Sequence, residues 1–240
     1  MSAFMSHIVG ARYGELTVVQ EVVLSVESGR MLVVLGSNGA GKTTTLRSVM
    51  GLVRTSQRTV TFAERDLTGL PSWQLASEGV VLVPDGARCF ANLSVYDNLR
   101  GAYLATHRAP TGAELTQLHE QVVSFFPVLG ERTKQLAGTM SGGQRQMLAV
   151  GRALMAQPRV LLLDEPSAGL APNIIEGLFE TLAKIKDEQG CAVILAEQNA
   201  GYAVQFSGDC LVLAEGKVEL TGPIATVLQD ERLRTAYLGL

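Results

Sequence analysis

The chain has 240 residues, 47% hydrophobic and 18% charged, which suits a globular protein with a core of ordinary size and excludes a disordered one. Its 20 basic and 23 acidic residues leave a net charge of −3 with no Lys/Arg cluster, so nucleic acid has no electrostatic footprint here. The longest apolar runs, such as Val160–Leu163 and Val193–Ala196, fall far short of the about 20 residues needed to cross a bilayer.

From the N-terminus, Met1–Gly10 lacks a basic region followed by an apolar stretch, so no secretion signal is expected. A soluble, cytoplasmic protein is expected, held at a membrane only through other chains. Segments around Ile8, at Leu16–Val19, at Val23–Val26 and at Thr59–Phe62 predict an antiparallel layer. Met31–Leu35, Val80–Val83, Val160–Leu163, Ala192–Ala196 and Asp209–Ala214 are nearly unbroken apolar runs, as expected of central strands covered on both faces. Longer helical patterns lie between them, so the fold class is α/β with a largely parallel sheet. From about Ser94 to Gly138 the pattern is helical throughout. Ser94–Asp97 reads as a capping box, and Ala113–Phe126 has helical apolar spacing. Pro223–Leu240 predicts one or two short helices. Cys89, Cys191 and Cys210 are isolated in sequence and are expected to be unpaired thiols, not a zinc site or disulfide framework.

Gly36-Ser37-Asn38-Gly39-Ala40-Gly41-Lys42-Thr43 fits the phosphate-loop pattern and lies between an apolar strand and a helix that begins at Thr43. Glycines let the backbone turn several N–H groups toward phosphate oxygens, and the helix behind, with Thr44 in its first turn, adds its positive end. Lys42 supplies a cation to the β and γ phosphates, and the Thr43 hydroxyl is placed for Mg²⁺. Val160–Asp164 is a buried strand ending in a carboxylate, the Walker B arrangement that holds Mg²⁺. Glu165, directly after it, can polarise the attacking water. ATP and Mg²⁺ are therefore the expected ligands.

Met140-Ser141-Gly142-Gly143-Gln144-Arg145-Gln146 lies between these elements and resembles the signature of ABC ATPases, usually written LSGGQ. The resemblance implies a mixed sheet core with an antiparallel layer and a helical signature lobe (about residues 94–140) in one nucleotide-binding domain spanning 1–240. It also implies that Ser141, Gly142, Gly143 and Gln144 close over ATP held by a second ATPase subunit. Tyr13 sits where the family stacks an aromatic on adenine, Pro84-Asp85 at the Q-loop near Mg²⁺ and the membrane subunit, Ser167–Pro172 at the D-loop, and Gln198 at the switch position. Gly138–Gly143, Gly169–Pro172, Glu197–Asn199 and Ala236–Gly239 are most similar to the smaller ATPase of branched-chain amino-acid importers; urea and short-amide importer ATPases carry similar motifs. Two integral membrane permease subunits, a non-identical ATPase partner and, indirectly, an extracytoplasmic solute-binding protein follow from that likeness, at the cytoplasmic face of the inner membrane. A soluble ABC ATPase and a regulatory subunit that binds ATP without turning it over are the rival classes.

The sequence departs from the family pattern at three places. Asp85 stands where Gln or Glu is usual, one methylene shorter than Glu. Gln198 replaces the usual switch His, so it can donate a hydrogen bond but cannot become a cation. Ala171 replaces the usual D-loop Asp.

Overall fold

The structure, a computed structural model, describes residues 3–107, 109, 111–203 and 205–230. In chain order its elements begin with β1 (Ala3–Tyr13), β2 (Leu16–Glu27), β3 (Met31–Leu35), α1 (Lys42–Val49), β4 (Gln57–Phe62), β5 (Arg65–Asp66), α2 (Ser72–Ser77) and β6 (Val80–Val83). Three helices follow, α3 (Val95–Thr106), α4 (Gly112–Phe125) and α5 (Pro127–Glu131), then a 3₁₀ turn at Ala137–Thr139 and α6 (Gly142–Leu154). The chain continues through β7 (Val160–Asp164), α7 (Pro172–Gln189), β8 (Ala192–Glu197), α8 (Ala200–Ala203), β9 (Asp209–Ala214), β10 (Lys217–Pro223) and α9 (Ile224–Val227).

One ten-stranded sheet runs in the order β5-β4-β1-β2-β10-β9-β3-β8-β7-β6. The strands from β9 to β6 pair in parallel, while β5, β4, β1 and β2 pair antiparallel. The two portions meet through β10, whose parallel pairing with β2 is the single register pair Lys217–Glu21. The antiparallel layer is thus the curled continuation of the main sheet.

The continuous apolar character of the parallel strands has a direct cause. Met31, Val33, Leu35, Leu161, Leu163, Val193 and Leu195 face a core shared with α3, α4, α6 and α7. Leu32, Val34, Leu162 and Ile194 point to the other face, into a core shared with α1 and the antiparallel layer. A strand enclosed on both faces has no solvent side to carry an alternating pattern.

Three expectations are corrected. Leu16–Val19 and Val23–Val26 belong to one strand, which runs through the exposed Gln20 and Glu21; β1 pairs with it on both sides, Val9 with Glu21 and Ala11 with Val19, while Gln20 N–H bonds the Gly216 carbonyl. β10 went unforeseen, since Lys217–Pro223 is mostly exposed and has no apolar run; its backbone bonds to β9 define it. At Ser94 the capping is one-sided: the Asp97 N–H donates to Ser94 Oγ, while the Asp97 carboxylate accepts from the Ser94 hydroxyl, not from its backbone. Of the predicted C-terminal helices, Ile224–Val227 is present, and Ala236–Gly239 lies outside the described residues.

All three cysteines are free. Burial pushes the Cys191 and Cys210 thiols up to about 12, which leaves them inert. No helix among the described residues is long and apolar enough to cross a membrane.

The helical region is fastened to the sheet by close packing of α3 on α6. A Cβ at Gly151 would lie 3.3 Å from Leu99 Cδ2 and 3.0 Å from Val122 Cγ1. Leu99 is fully buried there. Leu99→Ala is expected to lower unfolding free energy by about 2–5 kcal/mol, measured by urea denaturation.

Candidate functional site

Parallel register brings the ends of separate strands to one edge. Leu35 pairs with Glu197, Asp164 with Ala196, and Leu163 with Val83. The residues that follow, Gly36, Gln198, Glu165 and Pro84-Asp85, therefore leave the sheet at one level, at the carboxyl edge where open α/β sheets bind ligands.

The loop from Gly36 to Gly41 joins β3 to α1. Gly36 is required by close approach, because a Cβ there would fall 2.8 Å from the Leu213 carbonyl and 2.9 Å from Ala40 Cβ. Gly41 is required by conformation, with φ of 108° at the helix N-cap. The Ala40 carbonyl accepts from Gly216 N–H at 3.0 Å, which ties the loop to the turn between β9 and β10. Ser37, Asn38 and Gly39 are exposed at its crown, whereas Thr44 is buried in the first turn of α1.

Lys42 is only 3% exposed. Its ammonium donates to Gly36 O at 2.7 Å and Ser37 O at 3.0 Å, and pairs with Glu165 Oε1 at 2.9 Å. The cation is thus held across the mouth of the loop, with its opposite charge on the next strand end but one. Thr43 Oγ1 donates to Asp164 Oδ1 at 2.9 Å. The second oxygen, Asp164 Oδ2, is buried with no hydrogen-bond partner among the described residues. Burial raises the Asp164 pKa, the Thr43 bond opposes this, and the charges of Asp85 and Glu165 raise it further. A buried carboxylate oxygen without a donor, on a residue bonded to the Thr43 hydroxyl, is chemistry that fits a hard divalent cation such as Mg²⁺. Asp85 stands near two guanidinium groups, 3.9 Å from Arg47 and 3.7 Å from Arg88.

Glu165 itself has φ of 46°. A residue with a Cβ in that region carries strain of roughly 1–3 kcal/mol, which neighbouring contacts must hold in place. Glu165, Ser167, Glu197 and Gln198 line a cavity of about 410 Å³, into which Gln198 is exposed.

The structure therefore gathers Gly36–Thr44, Asp85, Asp164, Glu165 and Gln198 at one edge. Tyr13 stands apart, half exposed at the end of β1 on the antiparallel layer. That layer reaches the loop through β2, since a Cβ at Gly41 would lie 3.1 Å from Val19 Cγ2. Ser141–Gln144 stand apart as well. Ser141 caps α6 by a reciprocal box, with Gln144 N–H donating to Ser141 Oγ at 3.3 Å and Ser141 N–H to Gln144 Oε1 at 3.0 Å. Ser141 and Gly142 are exposed, and Cβ atoms at Gly142 and Gly143 would meet Leu170 and Ile174, not the phosphate loop.

Glu197 was not singled out as a site residue by sequence. It is 2% exposed, and its two oxygens accept from Ser167 N–H at 3.2 Å and Ser167 Oγ at 2.8 Å. A glutamate at a strand end carries no spacing signal that would mark it.

These parts, a phosphate loop, a buried carboxylate beside its threonine, a second carboxylate on a strained turn and a separately capped signature helix, belong to one class of protein. The chain belongs to the ABC transporter family, whose model matches residues 19–168, and it is an ATP-binding, ATP-hydrolysing cassette. It is 38% identical to the high-affinity branched-chain amino acid transport ATP-binding protein BraG of Pseudomonas aeruginosa, over 96% of this chain and 97% of that one. It is 32% identical to a probable branched-chain amino acid transport ATP-binding protein, LivF, of Archaeoglobus fulgidus, over 96% of each chain. It is also 31% identical to the lipopolysaccharide export system ATP-binding protein LptB of Haemophilus influenzae, over 100% of this chain and 98% of that one. In fold it matches the ADP conformation of an ATP-binding cassette of an ABC transporter, with a TM-score of 0.84 at 22% identity and full coverage of both chains.

Burial pushes the Glu197 pKa up to about 7, against the Ser167 bonds and with help from the Glu165 charge. The folded protein then holds a proton that the unfolded chain has released above about pH 4.5, so this stabilising contribution is complete below 4.5 and is lost as pH rises through about 7. The span corresponds to an order of 3 kcal/mol. Urea denaturation at pH 5 and pH 8 should show Glu197→Gln gaining stability relative to wild type at the higher pH.

Proposed function

We propose that this chain is the ATPase subunit of an importer for branched-chain, hydrophobic amino acids, acting at the cytoplasmic face of the inner membrane. The supporting observation is the 38% identity to BraG over nearly the whole chain, joined to a phosphate site with Lys42, Asp164 and Glu165 in place. The whole chain, 1–240, is read as one nucleotide-binding domain with a helical lobe at about 94–140.

In this reading the backbone of Gly36–Gly41 and the start of α1 cradle the phosphates, and Lys42 exchanges its contacts with the loop carbonyls and Glu165 for the β and γ oxygens. Tyr13 stacks on adenine. Thr43, Asp164 and Asp85 hold Mg²⁺, which when bound neutralises charge building on the phosphate oxygens. Glu165 takes up the water that attacks the γ phosphorus. Gln198, exposed on the same cavity, donates its amide N–H to the γ-phosphate. Ser141–Gln144, at the start of α6 with Ser141 and Gly142 exposed and the two glycines packed beside Leu170 and Ile174, present the N-terminus of that helix to ATP on a second, non-identical ATPase subunit.

Two integral membrane permease subunits complete the machine, supplied by an extracytoplasmic solute-binding protein. Their seat on this chain is the groove of about 420 Å³ beside Asp85, lined by Pro84, Cys89, Phe90, Ala102 and Arg152. Closure of the ATPase pair and its opening after hydrolysis drive the permease between its states. The likeness to LptB favours lipopolysaccharide export as the second reading.

Affinity purification of the tagged chain after gentle membrane extraction tests the assignment. Two polytopic membrane proteins and a second, different ATPase are expected, with leucine, isoleucine or valine uptake depending on the chain. Recovery of soluble proteins alone, or of lipopolysaccharide-export components, would overturn it.

Lys42→Ala should weaken ATP binding about ten- to a hundredfold, the loss of a charge-assisted contact, as measured with a fluorescent ATP analogue. Glu165→Gln should keep ATP binding and lose turnover by roughly 10²-fold or more. Gln198→His should leave binding intact and preserve or raise turnover, read by phosphate release.

A further inference from the structure

The end of β8 grips the turn that carries Glu165 at two consecutive residues. Before the turn, Glu165 N–H donates to the Ala196 carbonyl at 3.0 Å. Past it, Ser167 gives both its N–H and its hydroxyl to the Glu197 carboxylate. Between these anchors lie only Glu165, with its left-handed backbone, and Pro166, which has no N–H to give. The Ala168 N–H closes the turn onto the Glu165 carbonyl at 3.1 Å.

Nothing in the strand requires a carboxylate at position 197. The other residues of β8, Ala192–Ala196, are fully buried and apolar, and an apolar residue would continue that pattern without the cost of desolvating an ionisable group. With 8% exposure at Ser167 and 2% at Glu197, the two side chains are shielded from water and answer to each other. The two oxygens of one side chain take both donors of Ser167, so the pair fastens the strained turn at two points. Gln198, the next residue, opens on the cavity it shares with Glu165 and Ser167.

We propose that Glu197 is a positioning residue for ATP hydrolysis, whose carboxylate locks Ser167, sets the turn that aims Glu165, and seats Gln198 across the same cavity. The inference rests on the reading of Glu165 as the group that activates water. Glu197 acts through Glu165 and forms no hydrogen bond or ion pair with Lys42 or the phosphate loop among the described residues. Its loss should therefore disturb the chemical step and spare nucleotide binding.

Steady-state ATPase assays on the complex that contains this chain, with affinity for a fluorescent ATP analogue measured alongside, test this. Glu197→Ala should lower kcat about 10–100-fold, the penalty for misplacing a reacting group by roughly 1 Å. KM and analogue affinity should stay within about twofold. Glu197→Gln should recover kcat to within about threefold of wild type, because its amide oxygen can accept from Ser167 N–H and its amide N–H can bond Ser167 Oγ. Ser167→Ala should lower kcat on its own and add little in the Glu197→Ala background, as members of one unit do.

The inference is overturned if folded Glu197→Ala keeps kcat within about twofold, if KM rises while kcat holds, or if Glu197→Gln is as slow as Glu197→Ala. Should Glu197→Ala not fold, Ser167→Ala decides, and wild-type kcat in that variant overturns the lock. Rapid hydrolysis by Glu165→Gln would instead remove the reading of Glu165, whatever the Glu197 variants do.

Discussion

The bond from Thr43 to Asp164 joins residues 121 positions apart and is the contact around which the site is built. One partner opens α1 behind the phosphate loop, and the other ends β7. Neither could reach the other unless β3, β8 and β7 lay in parallel and in register. The register in turn depends on cores above and below the sheet that admit only apolar side chains at Leu161–Leu163 and Val193–Leu195. Packing fixes the strands to one level, and the polar residues appear where the strands run out.

Charge at that edge is concentrated and nearly balanced by design of place. Asp85, Asp164 and Glu165 stand with Lys42, Arg47 and Arg88 around one loop. Burial raises the cost of each unpaired charge, so Lys42 is held by two carbonyls and a carboxylate, while Asp164 keeps one oxygen without a donor. The departures from the family pattern fit that frame. The shorter Asp85 is still close enough to raise the Asp164 pKa, and Gln198 remains exposed to the cavity beside Glu165.

The helical lobe is arranged on a different principle. Ser141 and Gln144 spend their polar groups on one another at the start of α6, and Gly143 lies where any side chain would strike Ile174. The signature is therefore a rigid helix end packed against the start of α7, displayed outward.

Much of this was legible in the sequence. The phosphate loop, Walker B strand and signature have residue types that few other roles demand, and the five central strands announced themselves as apolar runs because both of their faces are covered. β10 did not, since an exposed strand held by backbone bonds leaves no pattern in its side chains. The continuity of β2 through Gln20 and Glu21 was likewise hidden, as exposed residues can be polar without ending a strand. Sequence by itself determined the chemistry available: which residue could carry a cation, a hydroxyl or a carboxylate, and in what order along the chain. Only the tertiary structure decided that Glu197 clasps Ser167, that Lys42 meets Glu165, and that the start of α6 packs against Leu170 and Ile174. Those facts depend on distances between strands and helices far apart in sequence, set by how both cores close.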